Sequence, residues 1–179
     1  MRILQGQLAF WSSVAAAISA ACCTPERAHA QSMLASMRGH EWATYIFVST
    51  AMPRHALVEL AREASLVGAT LVLRGFAPTL GKPVDFSGPQ TTIAEINRQC
   101  CRDRGPGWIV DPRLYERYRV QAVPAFVIAR GEGSTPEDYS LVTGDMALAN
   151  ALKFIAQNSR LPAMRTQAAQ IYAKFGGQP

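Results

Sequence analysis

A proline at the mouth of an apolar run limits what this chain can fold into more than any other feature. Residues 120–128 read Val-Gln-Ala-Val-Pro-Ala-Phe-Val-Ile, with Pro124 directly before four apolar residues. Proline lacks the N–H that a central strand needs, so Pro124 can only open a strand. An X-Pro bond is also the one place where a cis peptide costs little. A second apolar run, Tyr45-Ile46-Phe47-Val48, leads into Ser49-Thr50-Ala51-Met52-Pro53. This reads as a buried strand, a tight turn and the start of a helix, with Pro53 at the first helical position.

The elements between these landmarks follow from periodicity. Leu57, Leu60, Ala61 and Ala64 recur at i, i+3, i+4 and i+7 and lie on one helical face, which Gly68 ends. Ala69 to Arg74 is a second buried strand. Strand, helix and strand make a βαβ unit, so the two strands are expected to be parallel. Phe76 to Gln90 carries Pro78, Pro83 and Pro89 with Gly81 and Gly88 and reads as a long loop. Thr92 to Glu95 has the form of a capping box opening the next helix, with Ile93, Ile96 and Cys100 on one face. Residues 102–107 read as a turn and Trp108 to Val110 as a short strand. Asp111-Pro112 is an N-cap followed by proline at N1, opening a short helix through Tyr118. The Pro124 strand, a polar loop over Gly131 to Asp138 and a returning strand Tyr139 to Thr143 form an antiparallel hairpin. Asp145 is expected to cap a helix that turns Leu148, Ala151, Leu152 and Ile155 inward. Pro162 interrupts, and Met164, Ala168, Ile171, Tyr172 and Phe175 form a last amphipathic segment.

The fold class is therefore α/β. The order resembles the thioredoxin-like topology, a mixed β-sheet flanked by helices on both faces. That resemblance implies that Val123–Pro124 is cis and faces the turn after the first strand, so that the two form a peptide-binding edge. Thioredoxin-like redox proteins keep Cys-x-x-Cys at that turn, where the helix dipole lowers a thiol pKa. This chain holds Ser-Thr-Ala-Met-Pro there, and neither Ser nor Thr can exchange disulfides. For Ser49 or Thr50 to act as a nucleophile, His55 would have to serve as base, and it has no evident acidic orienter. No catalytic residue is assigned.

The N-terminus reads as a targeting segment. Arg2 supplies a basic start, Leu8 to Ala21 is mostly apolar, and Ala28-His29-Ala30 is an A-x-A cleavage site. The expected organisation is a signal peptide over 1–30, an N-terminal arm over 31–41, a domain over 42–160 and a C-terminal helical extension over 161–179. Cleavage after Ala30 places the mature protein in the periplasm. Removing Arg2, Glu26 and Arg27 leaves 16 basic and 12 acidic side chains, a net +4. These are scattered without interleaved aromatics, which argues against nucleic-acid binding. No later stretch reaches the ~18 apolar residues of a membrane span.

Of four cysteines, only the adjacent Cys100 and Cys101 survive cleavage. Export permits a disulfide. Neighbouring Cα atoms stand ~3.8 Å apart and disulfides prefer ~4.4–6.8 Å, so a vicinal bridge is an uncomfortable one. Cysteine also packs like a small hydrophobe, and the pair could simply finish a helix face. Two thiols without a nearby His do not make a metal site, and no cofactor is expected.

Ile46-Phe47-Val48-Ser49 with Met52-Pro53, Val72-Leu73-Arg74-Gly75, Asp111 to Tyr118, and Val123 to Val127 together resemble the TrbC family, pilin assembly proteins of F-type conjugative transfer systems. The resemblance covers residues 43–158. It implies a periplasmic thioredoxin-like protein without the redox pair, which helps build a conjugative pilus or type IV secretion system and is partnered with TraW or similar assembly proteins and with pilin. The partner-binding residues it suggests are Ser49, Thr50, Met52, Pro53, Val123 and Pro124, with Met52 on an exposed turn as an adaptable apolar contact. Arg74 could anchor an acidic partner group. The paired Cys100 and Cys101 and the loop over 76–90 are not part of the resemblance. They keep open an alternative: a periplasmic thiol-disulfide oxidoreductase or isomerase using Cys100 and Cys101.

Overall fold

In the computed structural model, residues 41–75, 87–101 and 104–176 are described. The expected signal peptide, residues 31–40 of the arm and residues 76–86 of the loop lie outside them, as do 102–103 and 177–179. Five strands form one mixed sheet: β1 (Trp42–Val48), β2 (Thr70–Leu73), β3 (Gly107–Val110), β4 (Ala125–Arg130) and β5 (Tyr139–Thr143). Their order is β3-β2-β1-β4-β5. β1, β2 and β3 run parallel, while β4 is antiparallel to both β1 and β5. This is the thioredoxin-like arrangement, with β3 added at the outer side of β2.

Strand alternation divides the buried side chains between two cores. Ile46 and Val48 point to one face and Phe47 to the other. The first face is covered by α1 (Arg54–Val67), α2 (Ser87–Cys100), α4 (Leu148–Asn158) and α5 (Pro162–Ala173). Leu57, Leu60, Ile96, Leu152, Ile155 and Met164 pack there with Leu71 and Phe126. The second face carries the short helix α3 (Pro112–Arg117), whose Leu114 and Tyr115 pack with Val72, Val127 and Tyr118. Its packing is aromatic. Phe47 meets Tyr115 edge-on with centroids 4.8 Å apart, and Tyr118 meets Tyr139 at 4.9 Å, both within the favoured range for tilted rings. Helices thus lie on both faces, as the sequence suggests, though unequally.

Local signals account for most boundaries. Gly68 ends α1 in the left-handed region at φ 76°, its N–H donating to the Ala64 carbonyl. Asp111 caps α3, its carboxylate accepting from the Arg113 N–H at 2.8 Å. Four expectations need correction. Pro53 is the N-cap of α1 rather than its first helical residue. The loop over 76–90 ends early, because residues 87–90 already belong to α2. Pro89 fits there, since the first turn needs no donated N–H. Thr92 consequently lies inside α2 and cannot be its N-cap. Asp145 does not cap α4, which starts at Leu148. The Leu148 N–H instead donates to Glu63 Oε2 of α1 at 2.7 Å.

Candidate functional site

The carboxyl ends of β1 and β2 converge on the turn before α1 and on the loop before β4. The turn is closed by its own groups. The Met52 N–H donates to the Ser49 carbonyl at 3.0 Å, and the Ala51 N–H to the Ser49 hydroxyl at 3.2 Å. The Ser49 N–H points at Met52 Sδ, 3.5 Å away. The Ser49 hydroxyl is therefore a turn-forming acceptor. His55 is exposed on the first turn of α1, and among the described residues it makes no hydrogen bond to Ser49 or Thr50.

Thr50, Ala51 and Pro53 present an exposed rim. Met52 does not share it. It is half-buried against the main core, which corrects the expectation of an exposed contact residue. The physical reason is the turn itself: the Ser49–Met52 bond folds the side chain back over the end of the sheet.

The second half of the site is the proline loop. Val123–Pro124 is cis. Pro124 is buried, and its carbonyl accepts from the Gly144 N–H at 3.1 Å, which ties the loop to the end of β5. Phe47 pairs with Ala125 in the antiparallel ladder. Continued along the strands, that register sets Val48 beside Pro124 and Ser49 across from Val123. Val123 packs on the second core while Met52 packs on the first. Ser49, Met52, Val123 and Pro124 thus share one end of the sheet, with Thr50 and Pro53 at the rim.

A residue that sequence reasoning missed supports this edge. The Tyr115 hydroxyl is buried and lies 2.8 Å from the Val48 carbonyl and 3.1 Å from the Val72 carbonyl. It links α3 to the last residue of β1 and the penultimate residue of β2, directly behind the turn. The Arg74 guanidinium lies over the Tyr115 ring, 5.4 Å from its centroid. Burial pushes the Tyr115 pKa up, and Arg74 acts against it. In front, Arg54 pairs with Glu95 of α2. A hydrogen bond from Arg54 holds the Glu95 carboxyl below its ordinary pKa.

The two cysteines lie elsewhere. Cys100 and Cys101 are joined to each other at the carboxyl end of α2, with Cα atoms 3.8 Å apart. Cys100 is half-buried against the main core. Cys101 Sγ sits 3.9 Å from the Ala61 carbonyl, so the pair lies beside α1 eight residues past Pro53, or about 12 Å along that helix.

The sheet order, the cis proline and the thiol-free turn together define a thioredoxin-like domain that lacks the redox pair at its turn. The family model for the type-F conjugative transfer system pilin assembly protein, TrbC, matches residues 46–155, and the chain belongs to that family. No functionally curated protein matches it. A secreted Mycobacterium tuberculosis disulfide oxidoreductase homologous to E. coli DsbE is similar at 16% identity. The match covers 78% of this chain and 85% of that one, with a TM-score of 0.39. The fold assignment rests on strand order and register rather than on that distant likeness. Among the described residues no helix is long and apolar enough to cross a membrane.

Proposed function

We propose that this protein is a non-enzymatic assembly factor for a conjugative pilus or type IV secretion system. It works in the periplasm, after cleavage behind Ala30, through protein–protein contacts at the edge formed by the turn and the proline loop. Family membership supports the role in pilin assembly. The observation that carries the non-enzymatic part is the turn. Where thiol exchange needs a cysteine at a helix N-terminus, Ser49 and Met52 use their polar atoms to close the turn on itself. What remains for a partner is an exposed rim, Thr50 and Pro53, backed by Val123 and the cis Pro124. The partners are other assembly proteins of the same system, a TraW-like protein among them, and pilin.

The joined Cys100 and Cys101 sustain a second reading, a thiol-disulfide oxidoreductase or isomerase. Their position weighs against it. At a helix carboxyl end the dipole disfavours the thiolate that exchange requires. Insulin reduction in dithiothreitol separates the readings: activity that disappears in Cys100→Ser/Cys101→Ser would establish the enzyme.

The assembly reading is tested by a photo-crosslinking amino acid placed at Thr50, and for comparison at Gln157 on the exposed side of α4, in cells carrying the transfer system. The expected result is an adduct at Thr50, and not at Gln157, with a component of that system identified by mass spectrometry. Equal adducts at both positions, or none at Thr50, would contradict it.

A further inference from the structure

β3 is the outermost strand on its side of the sheet, and among the described residues no strand pairs with its free side. The Asp111 N–H donates inward to the Leu73 carbonyl at 3.0 Å. Backbone groups alternate sides along a strand, so Ile109 also faces β2, while the N–H and C=O groups of Trp108 and Val110 point outward. Large apolar side chains are exposed on the same strand: Ile109 at 36% and Val110 at 47%. They lie on opposite faces of the sheet. The sequence Gly-Trp-Ile-Val contains none of the charges or prolines that usually protect an open edge. β5, the other outer strand, carries no such exposed residue.

The surroundings are cationic. Exposed Arg104 precedes the strand and exposed Arg113 follows it, while exposed Arg74 follows the neighbouring strand β2. Among the described residues flanking the strand in sequence, Asp111 supplies a carboxylate, and it is already engaged by the Arg113 N–H.

We propose that β3 is a strand-addition site, which takes up an extended apolar segment with acidic residues at its ends from a partner protein. The backbone row of Trp108 and Val110 supplies the hydrogen bonds, Ile109 and Val110 supply one apolar contact on each face, and the arginines select acidic flanks. A second copy of this chain fits less well. Antiparallel pairing of two β3 strands sets Arg104 of one against Arg113 of the other, and parallel pairing sets like against like. That the partner belongs to pilus assembly rests on the function proposed above; the edge chemistry does not.

The test uses the purified exported protein, isotopically labelled, and a blocked peptide of sequence Glu-Val-Thr-Val-Thr-Val-Glu. The expected result is altered resonances and slowed exchange for the Trp108 and Val110 amides. A lysine-ended peptide should bind about fivefold more weakly, as two exposed ion pairs allow, and a peptide N-methylated at alternate residues should not bind. Val110→Pro removes an outward N–H that the sheet does not use, so the fold should tolerate it while peptide affinity falls by at least about tenfold. If Val110→Pro melts early, Val110→Lys, an edge-blocking charge, gives the same comparison. No binding up to about 1 mM, binding that spares Trp108 and Val110, or self-association through these amides without peptide would each overturn the proposal. Crosslinking at Thr50 would be unaffected by those failures, so the two readings fall separately.

Discussion

Tyr115→Phe removes one oxygen and tests whether the site is held from behind. The hydroxyl serves two strand-end carbonyls at 2.8 and 3.1 Å, and it is buried. The hydroxyl has one proton, shared between the two carbonyls, and taking the donor away from buried acceptors costs about 1–3 kcal/mol, so the loss should be about 2 kcal/mol. With a urea dependence of about 2 kcal/mol/M for a domain of this size, the unfolding midpoint should fall by about 1 M at unchanged slope. The melting temperature should drop by about 8 °C. The ring remains, so packing against Phe47 and beneath Arg74 should survive. Amide exchange carries the local readout. The Met52 N–H, bonded to Ser49 at the end of β1, should exchange faster by more than the global loss explains. A midpoint shift below about 0.2 M would refute the claim that Tyr115 secures the strand ends. An unaltered Met52 amide would refute the link to the turn.

Three further outcomes follow from the structure. Glu63→Ala removes the long-range cap on Leu148 and should cost about 1 kcal/mol in urea unfolding, whereas Asp145→Ala should cost much less. Gly133 stands at φ +60°, and a Cβ there would come within 2.6 Å of the Tyr118 hydroxyl, so Gly133→Ala should destabilise by more than about 1 kcal/mol, read from the thermal midpoint. Burial pushes the Tyr118 pKa from 10.0 up to about 12. The unfolded chain therefore releases that proton first as pH rises. The associated stability is complete below pH 10 and is lost between about 10 and 12; Tyr118→Phe should flatten that decline in a pH series of unfolding curves.

How much of this was legible in the sequence depended on range. Pro124, the helical spacing of Leu57 to Ala64 and the Asp111-Pro112 cap are local signals, and the structure repeats them. Helix α2 begins five residues before the Thr92 capping box because proline in a first turn breaks no hydrogen bond, so Pro89 was a weaker stop than its loop-like neighbours suggested. Glu63 capping α4 and Tyr115 binding two strand ends join residues 85, 67 and 43 positions apart. No local pattern marks such pairs. The outward placement of β3 is of the same kind: a four-residue apolar run reads as a strand, but its neighbour is decided by the sheet. Met52 was misplaced because a turn residue reads as exposed until the turn's own hydrogen bonds are known.

The central claim is that this thioredoxin-like domain works at its thiol-free edge and without thiol chemistry. A mating assay at matched protein level measures that directly, comparing Thr50→Arg with Cys100→Ser/Cys101→Ser. Thr50 is exposed, so the arginine should leave folding intact while obstructing the rim. The account predicts a drop in transfer and pilus number for Thr50→Arg and near-normal transfer for the cysteine pair. Loss of transfer in the cysteine variant, with full transfer in Thr50→Arg, would contradict it.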